Sequence, residues 1–85
     1  MLLYLSQVLN KLSNYTTGKK LLEVGIGTGE LLAVALELNF KVEAVEIERA
    51  TAQRVANLLG INIWRGDFLK FKTDKKYSII IMGDV

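Results

Sequence analysis

The chain has 85 residues and a mass of 9.5 kDa, which is room for one small domain. Half of it (51%) is hydrophobic and only 24% is charged, which excludes a disordered tail, and a net charge of +2 does not mark a nucleic-acid binder. It contains no cysteine, histidine or proline, so disulfides, thiolate chemistry and the commonest general base and metal ligand are all ruled out.

Leu2, Leu5, Val8, Leu9 and Leu12 recur at helical spacing, which predicts an amphipathic helix over residues 2–14, ended by Asn14 and the Thr16-Thr17-Gly18 cluster. A short apolar strand, Leu21 to Val24, stops at Gly25, and Gly25, Gly27 and Gly29 follow at once. Glu30 to Leu38 is a helix rich in leucine and alanine, closed by Asn39 as a left-handed cap. Val42 to Ile47 is the second strand. Arg49 to Leu59 is a helix with Ala52, Val55, Ala56 and Leu59 on one face and Gly60 past its end. Leu31, Leu36, Val55, Leu58 and Leu59 read as core, and Arg49 and Arg54 as solvated positions. Ile61 to Trp64 is the third strand, broken by Gly66-Asp67, and Trp64 reads as an edge-of-core residue. The weakly patterned, polar stretch Phe68 to Lys76 leads to a fourth strand, Tyr77 to Met82, which is β-branched and reads as buried on both faces.

Strands alternating with helices predict an α/β fold with a parallel sheet. Right-handed crossovers wind the chain outward through the first three strands, and the fourth returns beside the first, which gives the order 3-2-1-4. Ligands of such sheets bind at the switch point, outside the carboxyl ends of the strands. The sequence 23–29 opens there. Its glycines permit a tight strand-to-helix turn, and the next helix presents free N–H groups toward it. Glu46, twenty-one residues after Gly25, ends the second strand, where a carboxylate can accept two hydrogen bonds from a ribose diol. A dinucleotide fingerprint would need glycine at position 30, where this chain has Glu30, an anion beside any pyrophosphate. Glu23 faces the same crevice and suits a positively charged ligand group. Asp67 can accept from the exocyclic amine of a purine while the Phe68 amide donates to a ring nitrogen; taken alone, Gly66-Asp67 reads equally well as a turn.

These residues together resemble the class I S-adenosylmethionine-dependent methyltransferases: Glu23-x-Gly25-x-Gly27-x-Gly29 their first motif, Val45-Glu46-Ile47 their second, Gly66-Asp67-Phe68 their third. The resemblance covers residues 18 to 85. It implies a Rossmann-like sheet preceded by an additional N-terminal helix, with S-adenosyl-L-methionine as cofactor. Glu23 and the turn at Gly25, Gly27 and Gly29 would hold the methionine portion, Glu46 the ribose, Ile47 the adenine face, and Asp67 with Phe68 the adenine edge. No metal is implied. The run around Glu46 and Gly66-Asp67-Phe68 is also similar to the rRNA adenine dimethylases, but the fourth strand ends in Met82-Gly83-Asp84-Val85, without their proline and aromatic. That ending looks more like small-molecule methyltransferases, with Asp84 as the one candidate near the transferred methyl. Methyl transfer also suits a chain without histidine and cysteine, because the sulfonium is already activated.

A full domain of this family has seven strands, so residues 1–85 read as a truncated half-domain, inactive alone. The uncovered sheet face and the fourth strand's free edge then predict homo-oligomers. A non-catalytic nucleotide-binding module acting through self-association is the competing class. The first residues lack the basic region and cleavage site of a secretory signal, so a cytoplasmic protein is expected. From Arg65 to Lys76 five basic residues stand against Asp67 and Asp74, most simply a solvated loop and otherwise a contact patch for an acidic partner.

Overall fold

The computed structural model describes residues 2–15 and 18–83; Thr16, Thr17, Asp84 and Val85, which figure in the sequence analysis, lie outside the described residues. The elements run α1 (Leu2–Ser13), β1 (Lys20–Val24), α2 (Glu30–Glu37), β2 (Lys41–Glu46), α3 (Arg49–Leu59), β3 (Ile63–Arg65), a single 3₁₀ turn η1 (Phe68–Lys70) and β4 (Ile79–Met82). The four strands form one parallel sheet in the order β3-β2-β1-β4, as the alternation predicts. The register aligns Val24 with Val45 on one side and with Met82 on the other, so the carboxyl ends of β1, β2 and β4 finish level.

Strand parity divides the sheet into two unlike faces. Leu21, Ala44 and Ile79 point to one face and are buried with Leu9 of α1, Leu32 and Ala35 of α2, and Val55 of α3. The helices therefore share one layer, with α1 packed on α2. At its C-terminus α2 ends against Asn39 in the left-handed conformation (φ 67°), and the Lys19 ammonium donates to the Leu38 carbonyl at 3.2 Å, where the helix dipole favours a cation. Gly60 (φ 66°) ends α3 in the same way.

The other face is built by Leu22, Val24 and Val45, which are buried beneath Phe68, Phe71 and Tyr77 of the β3–β4 connection. This corrects two expectations. The connection is not merely polar: its three aromatic rings roof β1 and β2. β4, in contrast, is not buried on both faces: the roof stops short of it and leaves Ile80 and Met82 each 55% exposed, on the sheet face expected to lie uncovered. A third correction concerns Leu58, which is 71% exposed; it lies on the solvent side of α3, away from the stripe formed by Ala52 and Val55. β3 starts at Ile63, two residues later than expected, since pairing with β2 begins at Ala44↔Ile63.

A polar tie anchors the connection. Glu43 of β2 accepts a hydrogen bond from the Tyr77 hydroxyl at 2.6 Å and pairs with the Lys75 ammonium at 2.5 Å. Burial pushes the Glu43 carboxyl up, but the bonds from Lys75 and Tyr77 and the nearby lysine charges outweigh it and hold the group below its ordinary range. Burial and the bond to Glu43 push the Tyr77 hydroxyl up.

Candidate ligand cleft at the switch point

The cleft opens at the carboxyl edge of the sheet, between β1 and its neighbours. It measures about 330 Å³ and is lined by residues 24–25, 45–47, 66–69 and Met82. That is the lower end of the ~300–1,000 Å³ typical of small-molecule sites. Its walls are mostly apolar, with the carboxylates of Glu46 and Asp67 on two sides.

Glu46 is held in it by both carboxylate oxygens. The residue is only 7% exposed, and each carboxylate oxygen already accepts a backbone amide: Oε1 from Ile26 and Oε2 from Glu48, both at 2.9 Å. One carboxylate thus ties the glycine turn to the end of β2. Each oxygen retains a second lone pair for a ligand hydroxyl. The next side chain, Ile47, is 71% exposed although large and apolar, and it forms one lip of the cleft. On the opposite lip Asp67 caps η1, its Oδ1 accepting from the Leu69 amide at 2.9 Å. Among the described residues no hydrogen bond uses Oδ2 of Asp67 or the Phe68 amide, so an acceptor and a donor stand side by side there.

The glycine turn is held from three directions. The Gly25 amide donates to the Val45 carbonyl at 2.9 Å, Ile26 is tied to Glu46, and the Arg54 guanidinium reaches from α3 to the Gly27 carbonyl at 3.2 Å. Gly29 begins α2 with φ 85°, and no side chain caps that helix. A Cβ at Gly29 would stand 2.9 Å from Val55 Cγ1, so this glycine both supplies the left-handed conformation and lets the turn approach α3. Glu23 is 6% exposed at the carboxyl end of β1, on the strand face that carries the helices.

Of the eight ligand-binding residues expected, Gly25, Glu46, Ile47, Asp67 and Phe68 line this cleft. Glu23 lies deeper, Gly27 meets Arg54, and Gly29 packs against Val55. Sequence reasoning missed three participants. Met82 forms part of the cleft wall, because β4 runs level with Val24. Gly83 donates to the Val24 carbonyl at 2.7 Å, and a Cβ there would run into the Gly25 carbonyl oxygen and come within 3.0 Å of Glu23 Oε2. The position of Gly83 just past an apolar strand was its only signal. Arg54, read as solvated, is exposed yet bonded to the turn, a contact across 27 residues that no local pattern announces.

No cluster of metal-ligating side chains occurs among the described residues, and none of their helices is long and apolar enough to cross a membrane. No protein-family model matches the chain, and no curated protein matches it in sequence. Solved structures do. CalS10, an amino pentose methyltransferase from Micromonospora echinaspora involved in calicheamicin biosynthesis and solved with S-adenosylmethionine bound, superposes with a TM-score of 0.80 at 23% identity, over 93% of this chain and 34% of that one. The glycopeptide N-methyltransferase MtfA, solved with S-adenosylmethionine and with sinefungin, superposes with a TM-score of 0.70 at 20% identity, over 91% of this chain and 35% of that one. These likenesses establish the fold, the Rossmann-like arrangement of those methyltransferases. The chain spans about a third of the length of either.

Proposed function

We propose that the switch-point cleft binds S-adenosylmethionine and that the chain is the cofactor-binding portion of a methyltransferase acting on a small-molecule acceptor. The observation that carries this reading is the set of groups converging on one carboxyl edge. It comprises a buried, amide-braced carboxylate (Glu46), an exposed apolar side chain beside it (Ile47), and an acceptor–donor pair across the cleft (Asp67 and Phe68).

In this reading Glu46 accepts from the ribose hydroxyls with the lone pairs its amide bonds leave over. Ile47 covers one face of the adenine. Asp67 accepts from its exocyclic amine and the Phe68 amide donates to its ring. The glycine turn and the first amides of α2 receive the methionine end, and Glu23, the acid beneath them, favours its ammonium. The cofactor supplies a methyl group already activated on a sulfonium, so the chain's work is to bind, orient and exclude water. The acceptors of the two solved methyltransferases, an amino pentose and a glycopeptide, support a small-molecule acceptor over a nucleic acid.

Calorimetric titration of the chain with S-adenosylmethionine, S-adenosylhomocysteine and NAD tests the assignment. Saturable one-to-one binding of the first two, with NAD weaker, is expected. Tighter binding of NAD, or no binding by any of the three, would overturn it.

A further inference from the structure

Residues 25–29 alternate glycine with a larger residue, and Gly25, Gly27 and Gly29 all take positive φ (77°, 53° and 85°). Such a turn is pliable, because glycine populates either sign of φ at little cost. Both of its ends are fixed. The amides of Gly25 and Ile26 are bonded to β2, and Gly29 is bonded to Ile26 and to Ala33 of α2. Its middle is held differently. Among the described residues, the amides of Gly27 and Thr28 have no acceptor, and the sole hydrogen bond to either residue is the one from Arg54 to the Gly27 carbonyl.

That bond fixes more than a carbonyl. The peptide between Gly27 and Thr28 is trans, so its N–H points opposite to its C=O. With the carbonyl turned to the guanidinium on α3, the Thr28 N–H is aimed away from Arg54 with its donor unused. A cation on the carbonyl also polarises the peptide and strengthens its N–H as a donor. The local charge makes this necessary for an anion. Glu30 opens α2 two residues further on and has no ion-pair partner among the described residues, so it repels a carboxylate brought to the turn. Among the described residues, Arg54 is the one cation bonded to that turn.

On the cofactor reading already proposed, we infer that Arg54 is a positioning residue for the methionine end of S-adenosylmethionine. Through the Gly27 carbonyl it holds the peptide so that the Thr28 amide donates to the ligand's carboxylate. Glu23 and Arg54 then divide the zwitterion between them. The acid serves the ammonium, and the cation, acting through the turn from outside the cleft, serves the carboxylate.

The test compares S-adenosylmethionine with decarboxylated S-adenosylmethionine, which keeps the adenosine, the sulfonium and the ammonium and lacks only the carboxylate. Calorimetry on the unaltered chain should find the decarboxylated ligand weaker. Arg54→Met keeps an aliphatic stem and a good helix former at an exposed position, so thermal unfolding by circular dichroism should not move. It should weaken S-adenosylmethionine about threefold, as expected for one exposed charged contact, and leave the decarboxylated ligand unchanged. Arg54→Lys, which retains a cation and a donor, should recover most of that loss. In the nuclear magnetic resonance spectrum, the Thr28 amide proton should move downfield with S-adenosylmethionine and stay in place with the decarboxylated ligand. Four results would each overturn the role of Arg54 while leaving the cofactor reading standing: equal weakening of both ligands by Arg54→Met, weakening of neither, equal binding of the two ligands by the unaltered chain, or a Thr28 amide indifferent to the carboxylate. Binding of neither ligand by the unaltered chain would instead overturn the cofactor reading, and the role of Arg54 with it.

Discussion

Replacing Glu46 by glutamine asks the most of this structure. The wild-type carboxylate accepts from two backbone amides at 2.9 Å, Ile26 in a buried setting and Glu48 nearer the surface. Glutamine offers one oxygen and one NH₂ in the same shape. Whichever way it turns, one backbone N–H then faces another donor. The lower-energy orientation keeps the oxygen on the buried Ile26 amide and leaves the Glu48 amide to water. The loss is one charge-assisted bond and the weakening of another, about 1.5–3 kcal/mol for each such bond before any offset. Neutral glutamine also escapes the cost of burying a charge in a residue 7% exposed, so the net falls to about 1–2 kcal/mol. In a domain of this size that lowers the midpoint of thermal unfolding by roughly 4–16 °C. The same substitution removes the charged acceptor for the ribose and should weaken S-adenosylmethionine by about tenfold or more. Thermal circular dichroism and calorimetry on one preparation read both effects. An unchanged midpoint would refute the bracing of the turn by Glu46. A lowered midpoint with unchanged affinity would refute the ribose contact while leaving the brace intact.

Ile47→Ala should show the opposite pattern. The side chain is largely exposed, so unfolding should barely move, while calorimetry should find cofactor affinity reduced several-fold. Gly29→Ala should be strongly destabilising, by about 2–4 kcal/mol in denaturant titration. It places a Cβ at φ 85° and drives it against the fully buried Val55. Glu43→Gln should flatten the acid limb of stability against pH. Because the folded Glu43 carboxyl is held below its ordinary value of 4.5, its contribution is present above that value and is lost as pH falls through the lower, folded one; unfolding curves across that window measure it.

The fold was legible in the sequence because its signals are local. Alternation of β-branched runs with helical stripes, the left-handed stops at Asn39 and Gly60, and the glycine turn after β1 each follow from backbone sterics within a few residues. The order β3-β2-β1-β4 then followed from connection length and handedness. Glu46, Asp67 and Phe68 could be singled out for the same reason, as residues at or just past strand ends on the carboxyl edge; Ile47 was indicated only by the resemblance of its motif.

Tertiary structure decided what depends on approach between distant segments. Sequence periodicity could not say that Phe68, Phe71 and Tyr77 would roof β1 and β2 and leave Ile80 bare, since an apolar strand looks the same whether one or both faces are covered. Nor could it pair Glu43 with Tyr77, bring Arg54 to Gly27, or press Gly83 against Gly25. By itself, then, the sequence determined the elements, their order and the carboxyl edge at which the cleft opens, because those are properties of neighbouring residues. How the turn is braced and which sheet face remains open were decided by packing across tens of residues, which no local pattern encodes.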